Sequence, residues 1–453
     1  MKSQRKPYLS TTQIILLSFL SVILIGSILL SLPVSSAGGR AVPYIDALFT
    51  ATTATCVTGL VTVSTAATWS VFGQVVILLL IQIGGLGIIT FMTAVMLLFN
   101  RKIGISDRLL IQDAFNLSTL SGIVAFVKKV LIGTLTVESI GACFYMTVFV
   151  PQFGARGIWV SVFNSVSAFC NAGMDIIGEN SLCDYSGNVL ITLTTAALII
   201  LGGLGYIVWW DVSRVIKNRK QNGGRFFKSL TLHSKIVLIS TAFLLITGTA
   251  LTLCFEYNNP LTLEGLPLTD KIQAAFFQSV TTRTAGFASL PQENLTNPTA
   301  ILSLLLMFIG GSPVGTAGGI KTVTAAVLLS ITVSLISGKN SVSLFGRTIS
   351  KQSVYKAVAV TVMSFSVMFV STLLLSAVTN APALDILFET VSATATVGLS
   401  RSLTGALNLL GKLIIIFTMY FGRVGPISIA IAFGGKNPSR NIIKNPTEEI
   451  SIG

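Results

Sequence analysis

Apolar runs of membrane-spanning length recur along the chain, with shorter stretches of mixed character between them. IILLSFLSVILIGSILLSL and VVILLLIQIGGLGIITFMTAVMLLF are two such runs, each long enough to cross about 30 Å of hydrocarbon as a helix. Between paired runs lies a Ser/Thr-rich segment with a phenylalanine ten residues before a glycine: FTATTATCVTG from Phe49 to Gly59, FNSVSAFCNAG from Phe163 to Gly173, FFQSVTTRTAG from Phe276 to Gly286 and FETVSATATVG from Phe388 to Gly398. These glycines are 114, 113 and 112 residues apart, and each is followed by a bulky apolar residue, Leu60, Met174, Phe287 or Leu399. One unit of nearly constant length therefore occurs four times.

Each unit reads as an apolar span, the Phe-to-Gly segment and a second apolar span carrying glycines: IGGLG (83–87), LGGLG (201–205), IGGSPVG (309–315) and FGRVG (421–425). The units divide the chain at 1–120, 121–231, 232–352 and 353–453, and two spans in each predict an all-α membrane protein with eight crossings. The Phe-to-Gly segments are too short to cross. They are expected to re-enter from the outer side, a half-helix going in and an extended strand coming out. Irregular backbone at membrane depth is tolerated where protein buries it or where it lines a water-filled cavity. Four such segments in quasi-four-fold relation point to a central pore.

Composition agrees: of 453 residues, 52% are hydrophobic and 10% charged, with mean hydropathy +0.82, which is membrane-protein usage. The first run follows MKSQRKPYLS but is span-length with no A-x-A site after it, so it reads as a retained helix. Cys56, Cys143, Cys170, Cys183 and Cys254 show no C-x-x-C spacing, and His233, the sole histidine, lies in a basic hydrophilic stretch. Neither a metal site nor a catalytic triad can be assembled from them, so the chain reads as no enzyme. The net charge of +14 does not read as nucleic-acid binding, because 22 of the 30 Lys and Arg fall in segments 1–6, 101–129, 214–235, 339–356 and 436–444. That alternation is the positive-inside pattern, with both termini cytoplasmic. The basic loops are topogenic surfaces against membrane lipid.

One stretch imitates a phosphate-binding loop. GTAGGIKT, the end of FIGGSPVGTAGGIKT, puts Ile320 where the motif requires glycine, and its flanks, AILSLLLMFIG and VTAAVLLSITVSLIS, are apolar helix-like runs instead of a strand and a helix. A nucleotide site is therefore not expected. Five glycines and Pro313 should instead break the second span of the third unit, leaving a flexible intramembrane segment.

The pairs before the four glycines, VT, NA, TA and TV, contain nothing ionisable. A ring of them offers backbone carbonyls and a few hydroxyls, ligands that replace the water shell of a weakly hydrated alkali cation. Half-helices entering from outside aim their negative C-terminal ends at the pore, and Asp46 and Asp385, thirteen residues before their glycines, would sit near the positive ends. The acidic rings typical of divalent selectivity are absent.

Over essentially its whole length the chain resembles the Trk/Ktr/HKT superfamily of potassium transporters, which has four M1–pore helix–M2 repeats and one glycine per filter strand. Its length and its end, PTEEISIG, are most similar to the membrane subunit of a bacterial Ktr system. The resemblance makes Gly59, Gly173, Gly286 and Gly398 the filter glycines, with Val57, Thr58, Asn171, Ala172, Thr284, Ala285, Thr396 and Val397 lining the ion path. It implies K⁺ as the transported ion, Gly59 favouring potassium because some sodium-admitting members carry serine at the first glycine. It also implies a homodimer in a bacterial plasma membrane and a cytosolic ring of nucleotide-binding, Rossmann-like regulatory subunits, with Na⁺ as a stimulating ion. The glycine-rich segment becomes a gate made of Gly310, Gly311, Ser312, Pro313, Gly315, Thr316, Gly318, Gly319 and Lys321, with Arg423 beside it. Arg283, three residues before its glycine, and Glu389, nine before its own, are expected to pair behind the filter. The rival reading is a secondary transporter whose broken helices bind a small solute; a membrane ATPase is left without a nucleotide motif.

Overall fold

The computed structural model describes residues 10–99, 104, 108–109, 111–112, 122–218, 226–339, 341–425 and 428–429. The basic segments 1–6 and 436–444, parts of 101–129 and 214–235, and the end PTEEISIG lie outside the described residues. In chain order the main helices are α1 (Thr11–Ser31), α2 (Tyr44–Cys56), α3 (Val71–Leu86), α4 (Ile88–Leu98), α5 (Ile123–Phe153), α6 (Ala155–Cys170), α7 (Val189–Leu204) and α8 (Tyr206–Lys217). They continue with α9 (Leu232–Glu256), α10 (Leu268–Thr281), α11 (Asn297–Phe308), α12 (Thr322–Ile336), α13 (Lys351–Val378), α14 (Ala383–Ala395) and α15 (Leu409–Val424). A two-residue hairpin, β1 (Ser343–Leu344) with β2 (Arg347–Thr348), joins α12 to α13.

A long helix followed by a short one starts at Thr11, Ile123, Leu232 and Lys351, and each short helix packs on the long one before it. Among the described residues α1, α9 and α13 are long and apolar enough to cross a membrane alone, and α3 with α4 and α7 with α8 form bent pairs of sufficient length. The burial pattern is inside-out relative to a water-soluble protein. Leu17, Ile25 and Ile28 of α1 and Phe365 and Phe369 of α13 are exposed, whereas Thr50, Thr52, Thr53 and Thr55 of α2 are buried. With hydrocarbon as solvent, the apolar helices face out and the hydroxyl-rich short helices are shielded within. Their hydroxyls find partners locally: Thr52 Oγ1 donates to Leu48 O at 2.8 Å and Thr394 Oγ1 to Thr390 O at 2.7 Å.

The helix ends follow from ordinary capping chemistry. Ser10 and Gln13 form a reciprocal capping box at the start of α1, and Ser70, Asn188, Ser350 and Asn408 accept a backbone N–H at the starts of α3, α7, α13 and α15. Breaks sit at glycine. Gly87 (φ 83°, ψ 136°) turns α3 into α4 by 102°, and Gly205 (φ 84°, ψ 143°) turns α7 into α8 by 95°. The sequence suggests continuous spans through these two clusters, with a broken helix in the third unit alone. That expectation is corrected here: a positive φ, which glycine adopts without Cβ strain, ends the second span of the first two units as well.

Candidate functional site

Each short helix is followed by a left-handed residue two positions before its glycine. Val57, Asn171, Thr284 and Thr396 have φ of 56°, 60°, 67° and 51°, left-handed values uncommon for residues other than glycine. After α2, α6 and α14 the next N–H returns to a carbonyl five residues back: Thr58 to Thr53, Ala172 to Ser167 and Val397 to Ser392, each at 2.8 Å. This is a Schellman-type closure. It turns the chain abruptly and leads directly into the glycine. A hydroxyl six residues before that glycine then holds the outgoing strand. Thr53 Oγ1 accepts from Gly59 N–H at 2.9 Å, Ser392 Oγ from Gly398 N–H at 3.0 Å and Ser167 Oγ from Met174 N–H at 3.2 Å. The third copy is built differently, with Val280 at that position and Thr281 Oγ1 donating to Phe287 O at 2.6 Å.

These turns bring the four glycines into one closed ring. A Cβ added to Gly59 would lie 2.5 Å from Ala172 O, one on Gly173 2.6 Å from Ala285 O, and one on Gly286 2.5 Å from Val397 O; one on Gly398 would collide with Thr58 O. The contacts run 59 to 173 to 286 to 398 and back to 59, so each strand faces the next in chain order. Only glycine permits so close an approach of backbones.

On one side the ring opens into a cavity of about 630 Å³ lined by Asp175, Glu179, Asp184 and Glu293, with no Lys or Arg among the described lining residues. Burial pushes the Asp175 carboxyl up to about 6, against hydrogen bonds from Ser181 and from the N–H groups of Ile177 and Gly178. Nothing in the sequence pattern singled out this residue.

On the other side lies the loop between α11 and α12. Its neck is closed by Gly310 N–H to Ile320 O (3.0 Å), Ile320 N–H to Phe308 O (3.1 Å) and Thr322 N–H to Gly311 O (3.0 Å). Its tip touches residues just before the ring glycines. Thr316 Oγ1 donates to Phe169 O at 3.0 Å and lies 3.3 Å from Asn171 Oδ1, Gly318 N–H donates to Thr284 Oγ1 at 3.1 Å, and a Cβ on Gly318 would clash with Thr396 Oγ1. Ser312, Thr316, Ala317 and Ile320 are buried. The sequence suggests a flexible segment here. In the structure the loop is latched, because backbone buried this deeply has to find protein partners.

Two cations tie the loop further. Lys321 Nζ donates to Ala317 O at 2.6 Å, bracing the loop on itself. One guanidinium nitrogen of Arg423 donates to Thr316 O at 2.7 Å and the other to Gly84 O, joining the loop to α3. Both line a cavity of about 210 Å³ with Gly318, Gly319, Thr394 and Gly422. Of the residues expected at the gate, Gly311 and Ser312 lie against Gly203, and Pro313 and Gly315 against Gly205.

Arg283 and Glu389 do not pair. Glu389, fully buried, accepts from Ser400 Oγ at 2.7 Å and from Thr404 Oγ1, hydroxyls on the strand leaving the fourth glycine. Arg283 reaches back to Thr241 Oγ1 on α9 at 3.5 Å, and its Nε has no partner. Each charge turns to donors or acceptors of its own unit, Glu389 to two hydroxyls that line the acidic cavity and Arg283 to Thr241, beside the crevice lined by Gly203 and Gly311. Two of the ion pairs that form among the described residues lie at helix starts expected from the sequence, with partners it did not reveal: Asp46 with Lys412 at 2.6 Å and Asp385 with Arg401 at 2.7 Å.

Residues 2–445 match the family model of TrkH, described as a cation transport protein. The chain belongs to the TrkH family. It is 40% identical to the potassium/sodium uptake protein NtpJ of Enterococcus hirae, covering 100% of this chain and 99% of that one. It is also 40% identical to the Ktr system potassium uptake protein B of Bacillus subtilis, over 97% of this chain and 96% of that one. Among solved structures, the potassium transporter TrkH from Vibrio parahaemolyticus superposes with a TM-score of 0.74 at 17% identity, covering 97% of this chain and 86% of that one. The last likeness speaks to the fold, and the family membership places the glycine ring and its loop in a cation transporter.

Proposed function

We propose that this chain is the ion-translocating membrane subunit of a Ktr-type potassium uptake system, with the glycine ring as its selectivity filter. The observation that carries the reading is the cyclic contact of Gly59, Gly173, Gly286 and Gly398, in which the carbonyl oxygens of Ala172, Ala285, Val397 and Thr58 each abut a neighbouring glycine. Carbonyl dipoles at fixed spacing replace the water of K⁺ without presenting a full negative charge to hold it. The acidic cavity gathers cations from outside. K⁺ then passes the ring, and the loop 310–321 blocks its exit until it moves.

In this account four units of two spans each wind around the pore, both termini are cytoplasmic, and the host membrane is a bacterial plasma membrane. Two copies assemble as a homodimer on a cytosolic, Rossmann-like nucleotide-binding ring that controls the loop, so nucleotide acts on the partner. The names of the Enterococcus and Bacillus relatives support K⁺ as cargo, and the first of them brings in Na⁺ as a second ion.

Uptake of radioactive rubidium into potassium-depleted cells expressing the chain tests the reading. Saturable uptake, displaced by K⁺ more effectively than by Na⁺, is expected. Uptake no greater than in cells lacking the chain, or uptake of an organic solute in its place, would overturn it and favour a secondary transporter.

A further inference from the structure

The loop beneath the ring is held by the broken helix of the second unit, in a way that the break at Gly87 is not. At the end of α7 the carbonyls of Gly202 and Gly203 have lost their helical partners, because the chain turns at Gly205. The loop supplies those partners: Ser312 N–H donates to Gly203 O at 2.9 Å and Thr316 N–H to Gly202 O at 3.1 Å. In return Tyr206 N–H, the first of α8, donates to Val314 O at 3.1 Å. Both orphaned ends of the break are thus satisfied by one loop. A Cβ at Gly205 would collide with Pro313 O, so the loop fills the kink closely. The corresponding break at Gly87 has almost the same backbone angles, yet the nearest atom to an added Cβ there is Thr90 Oγ1 at 3.9 Å. The kink recurs, and its occupation by the loop does not.

The helix α8 in turn is moored at several points. Tyr206 OH meets Thr134 Oγ1 of α5 at 3.1 Å, Trp209 Nε1 donates to Leu201 O at 3.0 Å, and the Trp209 ring packs edge-on at 5.8 Å to Phe169, which precedes the second glycine by four residues. Its middle is fixed by Asp211. This buried carboxylate accepts both the N–H and the hydroxyl of Thr231, each at 2.8 Å, and also binds Arg214. Thr231 is the N-cap of α9, the helix that opens the third unit, the unit to which the loop belongs.

We infer that α8 is the arm that positions the gate loop, pivoting at Gly205, and that Asp211 is a positioning residue that fixes the arm in the loop-closed setting. Rotation of α8 withdraws Tyr206 N–H from Val314 O and disturbs the carbonyls that hold Ser312 and Thr316. The loop is then retained by its contacts to Phe169, Thr284 and Arg423, with Lys321 bracing it on itself. The basic stretch 214–235 continues directly from this arm, so force applied on the cytosolic face reaches the loop through one rigid helix. This inference rests on the reading of loop 310–321 as the gate.

The test is a two-by-two comparison of K⁺ flux in proteoliposomes: the full chain and the Asp211→Asn variant, each with and without a deletion of 311–319. Thr231→Val, which keeps the backbone N–H and removes only the hydroxyl, serves as a milder second variant. Weakening a hydrogen bond to a charged group costs enough to change a two-state population by about tenfold. Maximal flux of Asp211→Asn is therefore expected to rise by about that factor, and that of Thr231→Val by less, with the K⁺ concentration at half-maximal flux unchanged. In the deletion background neither substitution should add anything, because the element they act through is gone. Unchanged or lower flux in the full chain, or an equal rise in both backgrounds, would overturn the assignment of the arm. A deletion that by itself conducts no faster than the parent would instead overturn the gate reading.

Discussion

Replacing Arg423 by alanine removes two guanidinium contacts, to Thr316 O on the loop and to Gly84 O on α3. Only the first restrains the loop directly. A hydrogen bond from a charged donor contributes about 1.5–3 kcal/mol, and each 1.4 kcal/mol changes a two-state ratio about tenfold. The remaining latches, Thr284 to Gly318 N–H and the bonds of Ser312 and Thr316 to α7, stay in place. The population of displaced loop is therefore expected to rise by roughly 10- to 100-fold from its resting value, until the open state saturates. Removal of a fixed positive charge beside the path acts in the same direction, since that charge repels K⁺ at the exit. In liposomes without any cytosolic partner, Arg423→Ala should conduct K⁺ well above the parent, and Arg423→Lys, which keeps charge but loses the forked reach, should fall between them. Flux within twofold of the parent, from protein of normal size-exclusion profile, would refute the argument that this side chain latches the loop.

Three further outcomes follow from the same geometry. Gly398→Ser places a Cβ against Thr58 O, and K⁺ uptake should fall at least tenfold or lose its preference over Na⁺; measured uptake with parental selectivity would count against the ring. Thr53→Ala and Ser392→Ala each free a strand N–H at about 1 kcal/mol, so K⁺/Na⁺ discrimination in competition assays should weaken, whereas Val280→Ser in the third copy should leave it unaltered. Exchanging Arg283 and Glu389 should restore no transport relative to either single variant, since Glu389 serves Ser400 and Arg283 serves Thr241; rescue by the exchange would show the two in contact.

The elements that could be read from the sequence were those that repeat or that obey a strong local rule. Phe-to-Gly segments at near-constant spacing located the ring residues, because a close backbone approach admits only glycine. The cluster from Gly310 to Gly319 located the loop, because no helix tolerates so many breakers. Partners were harder. Asp46 and Asp385 could be placed at helix starts, but Lys412 and Arg401 are brought to them only by packing between distant elements. Pairing Arg283 with Glu389 followed the rule that buried charges seek opposite charges, and for Glu389 hydroxyls satisfied the requirement equally well. A hydroxyl six residues before the glycine was visible in three copies, as Thr53, Ser167 and Ser392, yet its meaning depends on the left-handed turn between, which side-chain pattern does not encode for valine, asparagine or threonine. The breaks at Gly87 and Gly205 look in sequence like glycines within an apolar run, and only the loss of helical partners reveals them as bends.

We propose that K⁺ passes through the ring formed by Gly59, Gly173, Gly286 and Gly398. Crystals of the protein soaked in rubidium, with diffraction recorded at the rubidium absorption edge, test it most directly. Anomalous peaks are expected on the axis between the carbonyls of Thr58, Ala172, Ala285 and Val397, weakened when sodium replaces rubidium. Peaks found elsewhere in the protein, with none inside the ring, would contradict it.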